Sequence, residues 1–217
     1  MRGHDFTPEV KDFTLGQGAD LVGIADMGAL RGITTIPDGL VDRFPRAVSL
    51  ALRLSDAAVD SITDRPTRRY VRQYRQANKR LDAVSVRVCE HLIAHGYHAM
   101  PVPASCVIDW DSYRGNVPHQ AVARQAGLGW QGKSLLIVNP SFGPRLRLST
   151  VLTDMPLKPD SPLPNRCGEC HICADACPAG AIKGVATKDH YLGAYDAMDL
   201  RKCHTQLKAF RGELKVD

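Results

Sequence analysis

Cys167-Gly168-Glu169-Cys170-His171-Ile172-Cys173-Ala174-Asp175-Ala176-Cys177-Pro178 places four cysteines in the spacing C-x2-C-x2-C-x3-C-P. That spacing is the thiolate run of bacterial-type 4Fe–4S ferredoxins. The short x2 steps wrap a loop around one cube of iron and sulfide. The fourth cysteine, followed by proline, leaves the loop and usually ligates the other cluster of a two-cluster module. Ala179-Gly180-Ala181-Ile182 continues as an apolar tail that returns toward the cluster. Zinc is the competing metal, but zinc sites usually pair two separated C-x2-C knuckles. Here all four cysteines fall within eleven residues, so the run predicts a module that moves electrons.

Immediately upstream, Pro156-Leu157-Lys158-Pro159-Asp160-Ser161-Pro162-Leu163-Pro164 carries four prolines in nine residues. It reads as an extended, semi-rigid connector and as the domain boundary. Two domains are expected: residues 1–155, and residues 156–217, the ferredoxin-like part. The first part mixes helices with apolar runs suited to buried strands, at Leu21–Ala25 and Ala47–Leu52. Val71, Tyr74, Leu81, Val84, Val88 and Leu92 recur at intervals of three, four or seven, which predicts an amphipathic helix between Arg68 and His95, stopped by Gly96. A strand is expected over Tyr97–Val102, an irregular segment over residues 104–118, and a short helix over His119–Gln125. Further strands are expected over Ser134–Val138 and Leu146–Leu152. Cys89 reads as a packed thiol. His91 and His95 are i,i+4 neighbours, but the pattern offers no carboxylate or third ligand beside them, so they read as two surface histidines.

Hydrophobic residues make up 44% of the chain and charged residues 24%, ordinary values for a globular protein. The 217 residues suffice for one substantial core and a small module. No run of eighteen apolar residues is present, which argues against a membrane span. The N-terminus MRGHDFTPEV lacks the apolar region of a secretory signal. Seven cysteines without such a signal point to a reducing compartment, where thiols serve metals, and a cytoplasmic location is expected. The net charge of +5 owes much to Arg65, Arg68, Arg69, Arg72, Arg75, Lys79 and Arg80. This stripe suits nucleic-acid phosphates or an acidic electron donor, the plainer reading being a solvated helix face.

Gly127-Leu128-Gly129-Trp130-Gln131-Gly132-Lys133-Ser134 satisfies the nucleotide-binding pattern G-x4-G-K-[ST]. That chemistry needs a strand before the loop and a helix after it. Here a helical segment precedes and an apolar β-type run follows, so the match reads as coincidental.

The string Ala126-Gly127-Leu128-Gly129-Trp130-Gln131-Gly132-Lys133, the Phe142-Gly143 turn, Thr153-Asp154 and the cysteine run occur here in one order. Together they resemble the epoxyqueuosine reductase family, relatives of the reductive dehalogenases, most clearly over about residues 100–182. The resemblance implies an α+β fold: an α/β, nitroreductase-like, cobalamin-binding domain followed by a bacterial-type ferredoxin module. It implies low-potential electrons delivered through the clusters to cobalt, which then reduces an epoxide in a modified tRNA nucleoside. In the dehalogenases the same machinery removes halide.

Two departures qualify the resemblance. Where epoxyqueuosine reductases carry an aspartate proton donor ahead of the glycine string, this sequence has Tyr113. A phenol can serve as the acid, as in the dehalogenases; Asp109, Asp111 and His119 are neighbouring substitutes, and a plain loop-lining role for Tyr113 stays open. The family also has further cysteines after CPxxAI. Cys203 matches the first of them, and the chain stops at Asp217, so an incomplete two-cluster module is expected. Cys167, Cys170 and Cys173 would then hold one cluster, while Cys177 and Cys203 belong to the second; alternatively Cys203 completes the first. By position, the family's cobalamin pocket takes in Tyr113, Ile137, Leu148 and Thr205.

The sequence therefore predicts an iron–sulfur oxidoreductase that draws electrons from a reduced ferredoxin or flavodoxin. They would pass through one or two 4Fe–4S clusters to a corrinoid, with tRNA or a small molecule as substrate. The alternatives are an electron-transfer protein without its own substrate and a flavin-binding reductase.

Overall fold

The computed structural model describes residues 4–185 and 194–214. In chain order the elements are α1 (Thr7–Gly16), β1 (Leu21–Asp26), a 3-10 turn (Met27–Leu30), α2 (Leu40–Arg43), β2 (Arg46–Arg53), α3 (Asp56–Val59) and α4 (Arg68–Ala94). Then come β3 (Ala99–Val102), α5 (His119–Gln125), β4 (Trp130–Gln131), β5 (Ile137–Val138), β6 (Leu146–Thr153), α6 (Ile172–Asp175), α7 (Ala194–Ala197) and α8 (Leu200–Leu214).

The main sheet runs β1-β2-β6-β3, and every pairing in it is antiparallel. The α+β expectation holds. The α/β label in its strict sense of a parallel sheet does not, because neighbouring strands run in opposite directions. Period-2 alternation sends successive side chains to opposite faces. Val48 pairs with Val151 and Ala47 with Leu152. The first pair packs toward α1 and α4, beside Val10, Leu81 and Val88. The second packs toward α5, beside Ala121, Val122 and Leu128. Both strands are buried almost throughout because both faces are covered, and the polar residues of β6, Ser149, Thr150 and Thr153, are buried with the rest.

Helix α4 begins at an N-cap, where the Thr67 hydroxyl accepts from the Tyr70 N–H at 3.2 Å. Its buried residues Ala77, Leu81, Val84, Ser85, Val88, Cys89 and Leu92 repeat at helical spacing, and Gly96 follows at φ +85°. Ser85 is the polar exception on this stripe. Its hydroxyl bonds the Leu81 carbonyl at 2.8 Å and meets the Ser149 hydroxyl of β6 at 2.7 Å. Cys89 is buried as expected, and desolvation, with Glu90 beside it, raises its thiol pKa.

The Ser134–Val138 run is a strand only at Ile137–Val138. Gly132 N–H donates to the Leu136 carbonyl at 2.8 Å and Leu135 N–H to the Gly132 carbonyl at 2.9 Å. Leu135 takes φ +62° in this turn. Half of the apolar run is thus spent reversing the chain between β4 and β5, and Leu136 faces solvent.

The glycine string has a packing explanation. A Cβ on Gly129 would collide with the backbone carbonyl of Val138, and one on Gly127, at φ +70°, would press on the Ser161 carbonyl. Helix α5 precedes the string and β5 follows it, the reverse of a phosphate-binding loop. Gly129→Ala therefore forces backbone movement and should destabilise by about 1–3 kcal/mol. Gly16→Ala, at a helix end with open space around it, should be neutral or stabilising by up to about 1 kcal/mol. Urea unfolding of both variants checks the contrast.

Candidate redox site

The proline connector is stitched to the sheet. Asp160 Oδ2 accepts from the Ile24 N–H at 2.8 Å, its Oδ1 from Lys11 Nζ at 2.7 Å, and Asp160 N–H donates to the Ile24 carbonyl at 2.9 Å. Arg46 Nε donates to the Leu157 carbonyl at 2.9 Å. Beyond it the cysteine run docks on the glycine string. Asn165 Nδ2 donates to the Gln131 carbonyl at 2.9 Å, and Asn165 Oδ1 accepts from the Cys167 N–H at 2.8 Å. Lys133, buried, donates from Nζ to the Cys170 carbonyl at 3.0 Å. The Arg166 guanidinium lies 5.8 Å from the centre of the Trp130 ring.

The donors around Cys177 suit a cluster ligand. Burial pushes its thiol pKa up, but the N–H groups of Ala181, Ile182, Ala179 and Gly180 outweigh that and hold it below the ordinary value. The Ala181 N–H lies 3.3 Å from its sulfur. Amide hydrogen bonds to sulfur are one of the levers by which proteins tune such clusters. Cys203, on α8, is raised by burial and by the nearby Cys177, so these two cysteines are electrostatic neighbours. On β4, Trp130 Nε1 and both polar atoms of the Gln131 amide are buried without a protein partner. Buried polar atoms of that kind usually find a bound group or water.

Three cavities share their lining. One of about 40 Å³ is lined by Ile137, Leu148 and His119. The next, about 170 Å³, is lined by His119, Cys106 and Tyr113. The third, about 370 Å³, is lined by Tyr113, Cys106, Trp110, Cys203 and His204. His119 borders the first two and Tyr113 the last two, so Ile137, Leu148, Tyr113 and Cys203 line a row of adjoining cavities, the trough. Ile137 and Leu148 also belong to the core beneath it. Thr205 is exposed and lines none of the three. Tyr113 takes φ +56°, rare for a side chain of this size, and its ring lies 4.4 Å from that of His204. This contact between the loop and α8 has no signature in the sequence.

Two of the three substitute acids, Asp109 and His119, are engaged by other groups. Asp109 accepts from the Ser112 hydroxyl and from the backbone of Asp111, which keeps its carboxyl pKa low and the group ionised. His119 Nε2 donates to the Pro103 carbonyl at 2.9 Å, and its Nδ1 faces the Thr150 hydroxyl at 2.8 Å. Burial pushes His119 down to about 4, so the ring is neutral at neutral pH and holds no spare proton.

Arg68, Arg69, Arg72, Arg75 and Lys79, with Leu214 of α8, line a groove of about 640 Å³. Arg65 instead pairs with Asp64 and Glu213.

Residues 163–183 match the family model described as a 4Fe-4S binding domain. The chain carries a 4Fe–4S cluster domain. It is 29% identical over 192 residues to the epoxyqueuosine reductase of Pseudomonas aeruginosa, a match covering 83% of this chain and 47% of that one. The epoxyqueuosine reductase of Listeria monocytogenes is 40% identical over 70 residues, 32% of this chain and 18% of the relative. The chain spans under half the length of these curated relatives. Among solved structures, a variant of the catabolic reductive dehalogenase NpRdhA aligns with a TM-score of 0.73 and 22% identity, over 89% of this chain and 28% of that one. An epoxyqueuosine reductase with a modified tRNA-Tyr stem loop aligns with a TM-score of 0.54 and 23% identity, over 80% and 52%. The resemblance read from the motifs thus extends over most of the chain, and the fold is shared with both groups. Among the described residues, no helix is long and apolar enough to cross a membrane.

His119 makes stability depend on pH. Its pKa falls from 6.5 to about 4 on folding, so between these values the unfolded chain binds more protons. The contribution is complete above about pH 6.5 and is lost as pH falls toward 4, by up to about 1.4 kcal/mol per pH unit. Urea midpoints measured from pH 7 to pH 5 should fall less steeply in His119→Gln than in the parent protein.

Proposed function

We propose that this chain is a cytoplasmic iron–sulfur reductase of the epoxyqueuosine reductase type, with Cys167, Cys170, Cys173, Cys177 and Cys203 as cluster ligands. The cluster or clusters, when bound, supply low-potential electrons to a corrinoid seated along the trough. The observation that carries this reading is the meeting at α8: Cys203 lines the same cavity as Tyr113, and its neighbour His204 lies against the Tyr113 ring. A source of electrons and a source of protons thus converge on one space.

The chain's own residues have separable tasks in this reading. The cysteines bind the cluster, and the amides behind Cys177 favour its thiolate. Lys133, Asn165 and the glycine string fix the loop against residues 1–155, which form the nitroreductase-like cofactor part, with residues 156–217 as the ferredoxin-like part. Ile137 and Leu148 supply an apolar floor, and Tyr113 Oη holds the proton for the developing anion. Thr205, exposed on α8 two residues after Cys203, would contact cofactor extending beyond the cavities. A reduced ferredoxin or flavodoxin is the donor, and the arginine groove of α4 fits its acidic surface. The tRNA bound by the structural relative makes a tRNA nucleoside the first substrate to try.

Anaerobic reconstitution followed by metal analysis tests the first half. About four iron per chain is expected for one cluster and about eight for two, together with uptake of added cobalamin. Iron without corrinoid uptake would favour a plain electron carrier, and zinc in place of iron would overturn the reading. For the acid, Tyr113→Phe should lower turnover by about 10²-fold or more while leaving iron content unchanged. Unchanged turnover would remove Tyr113 from that role.

A further inference from the structure

His91 and His95 sit one turn apart at the C-terminal end of α4, their ring centroids 4.6 Å apart. The structure supplies the carboxylate that the sequence pattern lacks. Glu9 of α1 places Oε1 3.0 Å from His95 Nε2 and 3.5 Å from His91 Nε2. One ligand atom from each residue lies within 4.8 Å of the other two. A tetrahedral zinc ion, with Zn–N near 2.0 Å, separates its ligand atoms by about 3.3 Å, which the observed distances bracket.

The hydrogen inventory points the same way. His95 Nδ1 lies 2.8 Å from the His91 carbonyl oxygen. A carbonyl only accepts, so Nδ1 carries the hydrogen, and neutral His95 turns the lone pair of Nε2 toward Glu9. Two acceptors then face each other at 3.0 Å and need a cation between them. A proton on His95 Nε2 would satisfy that pair alone. It would leave His91 Nε2, buried and without a hydrogen-bond partner, facing the same oxygen. A divalent ion satisfies all three atoms at once. The His91 ring is held in place by stacking on Phe13 at 4.0 Å and 9°. The backbone-bonded His95 has the outer-shell support usual for a metal-bound imidazole. His4 Nε2, 4.0 Å from Glu9 Oε2, is within reach as a further donor.

We infer that Glu9, His91 and His95 form a binding site for a divalent transition-metal ion of the zinc class, completed by His4 or water. The ion would clamp α1 to the end of α4. Its nitrogen and oxygen donors differ from the all-thiolate set of the cysteine run, so the two metal chemistries are sorted by ligand type.

Calorimetric titration of cluster-loaded protein with Zn2+ under anaerobic conditions tests this, since iron then occupies the cluster cysteines. One Zn2+ per chain is expected, and Glu9→Gln and His95→Gln should each weaken binding by at least about tenfold. His98→Gln, at a histidine outside the trio, should leave binding unchanged. Circular dichroism and iron content confirm that each variant is folded and loaded. Co2+ in place of zinc should give a visible spectrum without thiolate charge-transfer bands. Absence of saturable binding, wild-type affinity in both Glu9→Gln and His95→Gln, or thiolate bands with cobalt would overturn the inference. The loss of affinity in Glu9→Gln and His95→Gln is read against the parent protein at the same iron content, so it depends on neither cluster number nor reductase activity.

Discussion

The hydrogen bond from Lys133 Nζ to the Cys170 carbonyl ties the cysteine run to the body of the protein. An amine this deeply buried is expensive to leave unpaired, so its position fixes where the loop can sit. Lys133 reaches that carbonyl because the glycine string ahead of it lies flat: Gly129 packs on the Val138 backbone and Gly127 on Ser161. The same approach buries Gln131, whose carbonyl holds Asn165 and, through it, the Cys167 amide. A lysine beside the loop also bears on redox potential, since net charge and hydrogen bonding at the cluster are among the protein's means of setting it.

What was legible in the sequence divides by range. The strands at Leu21–Ala25 and Ala47–Leu52 announced themselves because both faces of the sheet are covered and the runs are almost wholly apolar, while Leu146–Leu152 was legible from its leucines and valine despite Arg147, Ser149 and Thr150. Helix α4 was legible from its apolar periodicity, of which Leu81, Val84, Val88 and Leu92 are buried, while Val71 and Tyr74 are only partly covered. Leu135 was not, because a left-handed leucine in a tight turn leaves no mark in an apolar run. The cysteine spacing named the cofactor class, yet gave no hint that His204 would meet Tyr113. Glu9 was equally hidden, because only the packing of α1 across α4 brings it to His91 and His95. Contacts between residues eighty or more positions apart are decided by topology, and single-sequence periodicity carries no trace of them.

Four prolines in nine residues predict an extended, semi-rigid connector. In the structure the segment also accepts and donates along β1 through Asp160, pairs with Lys11, and buries Leu157 in the core. Proline suits this position because the segment is extended and few of its amides are needed by a ladder.

That stitching bears on which kind of redox protein this is. A shuttle that collects and delivers electrons by collision needs only an exposed cluster and a docking surface. Here the cluster loop is bound on one side through Asn165 and Lys133. On the other, the tail after Cys177 pairs with the segment leading into α8, where Ile182 bridges Met198 and the Lys183 N–H donates to the Ala197 carbonyl at 2.9 Å. Helix α8 in turn lays His204 against Tyr113. Every link in this chain is a hydrogen bond or a packed ring, so the loop's distance from the trough is set by the fold. Such fixed placement suits the reductase proposed above, in which the electrons would be used inside the same molecule.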